Sequence, residues 1–359
     1  MKTTLLGLRH AGKSTLFSAL ARQPLPDATA PTHERRVAVG ELPDPRIVRL
    51  AAIFRPRKVT GPAITVVDPA PPLPPETAIL PPATLADVRT SDVVTLVVAA
   101  FSAPAVPRDR VDPAGDYRRL VDELVLADLA LVESRLERLE KQARGRPKEG
   151  ATTGAAERSV LERLRQHLEV GQPLRTLTLT PREVEAIRHL EFTSRQPQFV
   201  VVNLPEEALG AGEPEAVAAV RAVAGDVPVL GICARLEAEV AQWSPEEEAA
   251  FLREIGVAES GRVRLGRAIL AAADRIVFYT GGPVEVRAWL LPRGATALEA
   301  AGRIHSDFAR GFIRAEVVAA DALIAAGSER AAREQGLVHV ETKSYPVQEG
   351  DVITVRFSV

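Results

Sequence analysis

Residues 7–15 read GLRHAGKST, which satisfies the pattern G-x-x-x-x-G-K-[ST] with Gly7, Gly12, Lys13 and Ser14 at the fixed positions. Residue types in this order suit the binding of phosphate. Glycines let backbone N–H groups curl around anionic oxygens, and the helix that follows adds partial positive charge at its N-terminus. Lys13 has the reach for the β- and γ-phosphates, and the Ser14 hydroxyl is a hard oxygen suited to Mg²⁺. Arg9, His10, Ala11 and Thr15 complete the loop. The flanks agree: TTLLG before it has the look of a short buried strand, and STLFSALAR after it of an amphipathic helix. Strand, glycine turn and helix start are the context that separates this motif from a chance glycine turn.

Two further positions have types suited to a nucleotide site. Thr32 lies in QPLPDATAPTHERR, a stretch without periodicity after the first helix; there a threonine is either an ordinary loop hydroxyl or a Mg²⁺ ligand that senses the γ-phosphate. Asp68 ends the apolar run AITVV, where an acid either caps a loop or holds Mg²⁺ through water. Asn203 ends QFVVVN at a corresponding strand terminus, with Glu206 three residues on. Parallel α/β sheets bind ligands at that edge.

The elements that must position these groups follow from periodicity. Strands are expected at 37–42, 63–67, DVVTLVVAAF, QFVVVN and PVLGIC, with helices at 84–90 and EPEAVAAVRAVAG. From Asp116 the pattern changes. Val125, Leu129, Val132, Leu136 and Leu139 alternate spacings of four and three, and a second helix from about 155 to 169 carries Leu161, Leu164 and Leu168. A Gly/Pro break between them predicts an antiparallel hairpin. Its tip holds Lys141, Arg144, Arg146 and Lys148, either a solvated loop or an RNA-phosphate contact. Thr180 with Glu183 and Ser244 with Glu247 are capping-box starts, each followed by proline at the first helical position. From about Phe278 a smaller unit is expected: VEVRAWLL a strand, ALEAAGRIHSDFARG a helix, and DVITVRFSV a strand with Ile353, Val355, Phe357 and Val359 alternating.

Bulk properties narrow the class. The chain has 359 residues, 46% of them apolar, which suits two or three domains. Its net charge of −2 excludes a uniformly basic nucleic-acid binder, so any RNA contact must be local. The single cysteine, Cys233, leaves no intramolecular disulfide and fits a reducing cytosol. No secretory signal is expected, since the phosphate loop occupies that place. No apolar run reaches the roughly 18 residues of a membrane span. Prolines cluster between Asp68 and Pro82, a stiff extended loop.

Taken together the residues resemble the YchF/Obg-like ATPases, a branch of the Obg group of P-loop proteins. FYTGGPVEVRAWLLPRGATALEAAGRIHSDFARGFIRAEVVAADALI followed by YPVQEGDVITVRF is similar to the TGS domain of that family. PDPR at 43–46, LADL at 126–129, NLPE at 203–206 and LEAEVAQWSPEE from Leu236 extend the likeness over nearly the whole chain. The resemblance implies an α/β fold: a P-loop NTPase parallel sheet, an inserted α-helical hairpin domain, and a C-terminal ubiquitin-like β-grasp domain. The expected boundaries are 1–114 with 191–276 for nucleotide binding, 115–190 for the insert and 277–359 for TGS. It further implies a slow ATPase that prefers ATP to GTP, uses Mg²⁺, and associates with ribosomes or RNA as a cytoplasmic monomer. Counting back from PDPR, Thr32 matches the first-switch threonine. Asp68 matches the second-switch aspartate, and Asn203 and Glu206 match the N-x-x-E base site. Leu204 and Glu206 replace the lysine and aspartate of N-K-x-D, which predicts weak guanine selectivity.

Three departures bear on mechanism. The family's D-x-x-G is here Asp68, Pro69, Ala70, Pro71, with Pro72 next. Proline has no N–H, so the donor that meets the γ-phosphate is missing at Pro71. LPPETAILPP lacks the glycine-rich mobile sequence of the second switch. His10 stands where the family often has the asparagine linked to potassium activation, and Arg9 faces either a phosphate or solvent. Two functions remain open: a slow ATPase switch on the ribosome, and a pseudo-NTPase adaptor that binds RNA or ribosomes without switching. An empty, vestigial fold sits poorly with so complete a phosphate loop.

Overall fold

The computed structural model describes residues 1–25, 34–71, 80–102, 108–144, 151–209, 212–254 and 259–358; Thr32, Pro72, Arg146, Lys148 and Val359 lie outside the described residues. The chain divides into two compact units, one of Lys2–Ala38 with Thr65–Val257, the other of Met1 and Val39–Ile64 with Ala258–Val359.

The first unit is organised by a sheet whose five strands from Ala63–Asp68 to Val229–Ile232 run parallel. Strands Val93–Ala99 and Gln198–Asn203 are buried at every position, which is why their sequences are continuous apolar runs rather than alternating ones. The strand order is Arg36–Glu41, Ala63–Asp68, Lys2–Leu6, Val93–Ala99, Gln198–Asn203, Val229–Ile232. Lys2–Leu6 pairs in parallel with Ala63–Asp68 on one side and Val93–Ala99 on the other. Val93–Ala99 pairs in parallel with Gln198–Asn203, and that strand with Val229–Ile232. Parallel pairing brings Leu6, Asp68, Ala99, Asn203 and Ile232 to one edge. The chain leaves Lys2–Leu6 toward one side and later fills the other, so the crevice beside Leu6 is the ligand position expected of such a sheet.

Two long helices, Pro113–Arg144 and Ala151–Glu169, form the expected hairpin. Val125, Val132 and Leu136 are buried against Leu161, Leu164 and Leu168, with Leu129 and Leu139 partly covered. Arg135 grips Glu157 across the pair through two hydrogen bonds of 2.6 and 2.9 Å. The same apolar core runs on without a break to Leu96, Val98, Val200 and Val202 of the sheet. Asp128, fully buried, ties the long helix to the segment that re-enters the sheet. Its carboxylate accepts from the backbone N–H and hydroxyl of Thr193 (2.8 and 2.9 Å) and of Ser194 (2.7 and 2.6 Å). Burial pushes this carboxyl above the usual range, and the four donors pull against that shift. Both capping boxes form, Thr180 with Glu183 and Ser244 with Glu247.

The second unit is a mixed six-stranded sheet crossed by a helix. Its order is His339–Glu341, Phe312–Ala319, Asp351–Phe357, Arg275–Thr280, Glu285–Pro292, Lys58–Thr60. Asp351–Phe357 and Arg275–Thr280 are parallel neighbours, whereas Arg275–Thr280 and Glu285–Pro292 are antiparallel. Helix Ala297–Ile304 opens on a Thr296–Glu299 capping box and buries Ala297, Ala300 and Ala301.

Three expectations change in this unit. ALEAAGRIHSDFARG is two helices, Ala297–Ile304 and Ser306–Arg310, because His305 takes extended backbone and its ring accepts from the Asp307 N–H at 3.2 Å. The last strand does not alternate along its length. Asp351, Val352 and Ile353 are buried in succession, and burial fades toward an exposed Phe357. PDPR starts a helix, Pro45–Phe54, that periodicity did not reveal. Asp44 caps it by accepting from the Arg46 N–H at 3.0 Å, and the Tyr279 hydroxyl donates to the other Asp44 oxygen. Arg46 pairs with Glu349 and lies over the Tyr279 ring, 5.4 Å from its centroid. Residues 39–64 thus fold with the C-terminal sheet.

The Asp128 cluster yields a stability prediction. Asp128→Asn keeps the shape but turns an N–H₂ group toward two donors of Ser194 or Thr193, leaving them unsatisfied in a dry site. We expect a loss of about 2–4 kcal/mol in urea unfolding. A loss below about 1 kcal/mol would show that the four-donor arrangement contributes little.

Candidate nucleotide-binding site

The phosphate loop begins where the buried strand Lys2–Leu6 ends. A Cβ added at Gly7 would lie 2.4 Å from the Val97 carbonyl oxygen, so only glycine passes the neighbouring strand here. His10 adopts φ 63°, the left-handed region, where asparagine and histidine are among the best tolerated side chains. That accounts for histidine at a position where the resembling family often has asparagine. Gly12 has φ 89° and caps helix Lys13–Ala21. A Cβ there would meet Asn203 Nδ2 at 2.1 Å, so conformation and space both demand glycine.

Asn203 explains that close approach. Its Nδ2 donates to the Ala11 carbonyl at 3.1 Å, and its Oδ1 accepts from the Ala234 N–H at 3.0 Å. The buried carboxamide is therefore a strut between the phosphate loop and the turn after Val229–Ile232. Among the described residues no protein group takes its second Nδ2–H. Glu206, exposed in the short turn that follows, opens toward solvent.

Lys13 is half-buried, and its Nζ donates to the carbonyls of Gly7 at 2.8 Å and Leu8 at 2.9 Å. Burial lowers its pKa to about 8; Asp68 opposes the shift and the Arg9 charge adds to it. Arg9 and His10 are exposed, Ala11 is buried, and Thr15 is half-buried on the helix. Ser14 Oγ donates to Asp68 Oδ2 at 2.8 Å. The structure thus brings Lys13, Ser14, Asp68 and Asn203 to one end of the sheet.

One residue that no motif marks joins them. Arg36, the first residue of its strand, donates from Nη2 to the same Asp68 Oδ2 at 2.6 Å and to the Ser14 carbonyl at 3.2 Å. Its guanidinium rests on the Phe17 ring, 4.5 Å from the centroid. The only sequence signal is a second arginine after Arg35, ahead of the apolar run Val37–Val39. Ser14 and Asp68 supply the hard oxygens that Mg²⁺ prefers, so their chemistry fits that ion. Their arrangement pairs them with each other and with a guanidinium. Beyond Asp68 the chain runs through Pro69 and Ala70 to Pro71, which has no backbone donor.

Comparison with known proteins places this site in context. A ribosome-binding ATPase YchF from Bacillus subtilis is 35% identical over 371 residues, covering 99% of this chain and 98% of its own. The corresponding Escherichia coli O157:H7 protein is also 35% identical, with 100% and 99% covered. This chain belongs to the YchF family. The YchF-GTPase_C family model, described as a protein of unknown function (DUF933), matches residues 276–358. A solved structure of the Schizosaccharomyces pombe YchF GTPase superposes with a TM-score of 0.82 at 26% identity, covering 99% of this chain and 97% of that one. The α/β fold expected of the family is the fold present, a P-loop NTPase sheet with a helical hairpin and a C-terminal β-grasp sheet. In this chain the site carries Arg36 on Asp68 and, at Pro71, a position with no backbone donor.

The Lys13 environment predicts proton linkage. A bound diphosphate favours the charged amine and raises its pKa above the free value of about 8, so ADP binding near pH 9 takes up most of one proton and near pH 7 about a tenth. Affinity should fall as pH rises through that free value. Calorimetry in buffers of different ionisation heat reads the uptake directly. Equal uptake at the two pH values would show that Lys13 does not face the phosphates.

Proposed function

We infer that this chain binds a purine nucleotide, ATP in preference to GTP, at the phosphate loop, and acts in the cytoplasm as a slow, ribosome-associated regulatory switch. The observation that carries the nucleotide half is the built loop, with Gly12 seated on the Asn203 carboxamide and Lys13 and Ser14 beside it. The ribosome half follows from relatives that match end to end and are named for ribosome binding. In this reading Gly7, Gly12, Lys13 and Thr15 hold the phosphates, with Arg9, His10 and Ala11 completing the cradle. Asn203 directs its remaining N–H at the base, and Glu206 in place of aspartate disfavours guanine. Ser14, Thr32 and Asp68 are the Mg²⁺ ligands. The nucleotide domain spans 1–114 and 191–276, the helical insert 115–190 and the TGS domain 277–359, in a monomer, with 39–64 and 258–276 grouped with the C-terminal unit.

Catalysis then rests on positioning and charge, because the apolar or glutamine position after the switch glycine is Pro72. A backbone N–H bonded to the γ-phosphate couples that group to loop order in working switches. Pro71 has none to offer. A hydrogen bond to a charged group is worth about 1.5–3 kcal/mol, so its absence lowers discrimination of ATP over ADP by roughly 10- to 100-fold. The same feature favours a second reading, an adaptor that binds RNA or ribosomes through its TGS and helical domains without switching.

Side-by-side titration with ATP, GTP and ADP, with single-turnover hydrolysis on the same sample, tests both. We expect similar ATP and ADP affinities, weaker GTP, and turnover at or below the order of 10⁻⁴ s⁻¹. Lys13→Ala abolishes binding. Strong ATP preference with brisk turnover would sink the slow-switch reading, and unchanged binding in Lys13→Ala would sink the site.

Ribosome or RNA contact in this acidic molecule requires a local basic surface. Lys141 is exposed, and among the described residues its charged partner is Glu137 at 3.8 Å. Neutralising Lys141, Arg144, Arg146 and Lys148 should lower the salt dependence of ribosome binding, by roughly one log–log unit for each phosphate no longer neutralised. An unchanged slope clears the hairpin tip of that role.

A further inference from the structure

Asp68 is 5% exposed and carries two partners on one oxygen, Ser14 Oγ at 2.8 Å and Arg36 Nη2 at 2.6 Å. The guanidinium is not an incidental surface group. The Phe17 ring supports one face, the Ser14 carbonyl accepts from it, and three quarters of the side chain is covered. The preceding residue fixes the backbone. Arg35 forms a two-bond pair with Asp87, each bond 2.7 Å long, and Asp87 also accepts from Lys2 at 3.3 Å. Consecutive arginines are thus anchored to two different buried acids, and the strand start that carries them is held from both.

A divalent ion ligated by Ser14 and Asp68 needs what Arg36 already has. It would take the lone pairs of the serine hydroxyl, whose proton now points to Oδ2, and the carboxylate charge that the guanidinium now neutralises. A divalent ion and a guanidinium on the same carboxylate repel each other and share a single negative charge, so the ion weakens the Arg36 pairing. Guanidinium also matches phosphate as well as it matches carboxylate, through the same planar fork of donors.

We propose that Arg36 is a built-in cation that competes with Mg²⁺ for Asp68 and supplies part of the metal's charge when nucleotide binds without it. This deepens the nucleotide-binding reading and rests on it. Without metal, Arg36 stays on Asp68 beside the phosphate loop and offsets phosphate charge. With metal, the ion displaces Arg36 from Asp68, so arrival of Mg²⁺ is coupled to release of the strand start Arg36–Glu41, just after the segment that holds Thr32.

The two states make Arg36 favour binding without metal and not with it, which a structural role alone would not produce. The test is ADP affinity of the full chain, with EDTA and with excess Mg²⁺, for the natural protein and for Arg36→Gln. With EDTA, Arg36→Gln should bind ADP more weakly, by about tenfold, because a nearby positive charge is gone. With Mg²⁺ it should bind as tightly as the natural protein or tighter, so that the gain from Mg²⁺ rises by at least about tenfold. A gain from Mg²⁺ that is equal in the two proteins overturns the competition, while leaving nucleotide binding standing. Equal weakening in both media means that Arg36 only holds the loop in shape, and also overturns it. No ADP binding by the natural protein in either medium removes the nucleotide reading itself, and this inference with it. Arg36→Lys is the second variant; it keeps the charge, loses the fork, and should restore binding in EDTA to within about threefold.

Discussion

The carboxamide of Asn203 holds the candidate site together. It is a neutral group, bonded at both ends to backbone atoms of two different segments, and it stands where the strand Gln198–Asn203 ends. Because its amide nitrogen meets the carbonyl of Ala11, the loop closes against the sheet with no room for a side chain at residue 12. Glycine at that position, a left-handed turn before helix Lys13–Ala21, and Lys13 folded back over the loop carbonyls all follow from that one contact. A buried polar group with both ends bonded specifies geometry in a way that apolar packing does not.

Charge is the second organising constraint. Arg36 pairs with a single buried carboxylate, Asp68, at the sheet edge, and Lys13 feels the charges of both Asp68 and Arg9. The low pKa of Lys13 comes first from burial, with Asp68 opposing the shift and the Arg9 charge adding to it, and an anion beside the amine favours its charged form. P-loop sites bring a divalent ion to such a place. Here a side chain from the neighbouring strand already stands there, and the segment after Asp68 is rich in proline. Both features lie where, in the proposed function, the terminal phosphate and its metal would be read.

The second unit is governed by a different polar cluster. Asp44, Arg46, Tyr279 and Glu349 interlock, and Glu349 also accepts from the Val277 N–H at 2.8 Å. The tyrosine proton is held more tightly than in a free phenol, by burial and by the Asp44 carboxylate. PDPR thus serves the C-terminal sheet although Asp44 lies 235 residues from Tyr279 in the chain.

By itself the sequence determined the phosphate loop, the order of strands and helices around it, the helical hairpin and the family. These are local or periodic properties: a glycine pattern, apolar runs long enough to be buried on both faces, a three–four leucine spacing, capping boxes. It also determined that Pro71 has no N–H, because that is covalent. Tertiary structure decided which carboxylate each arginine meets, that Asn203 is a strut as well as a strand end, that His305 breaks a helix, and that residues 39–64 fold with the C-terminal sheet. Most of those depend on a partner far away in the chain. Arg35 and Arg36 are neighbours of one type, yet one meets Asp87 and the other Asp68. Arg35 stands just before the strand and Arg36 opens it, so the acids that lie beside each, and not the sequence around the arginines, set their roles.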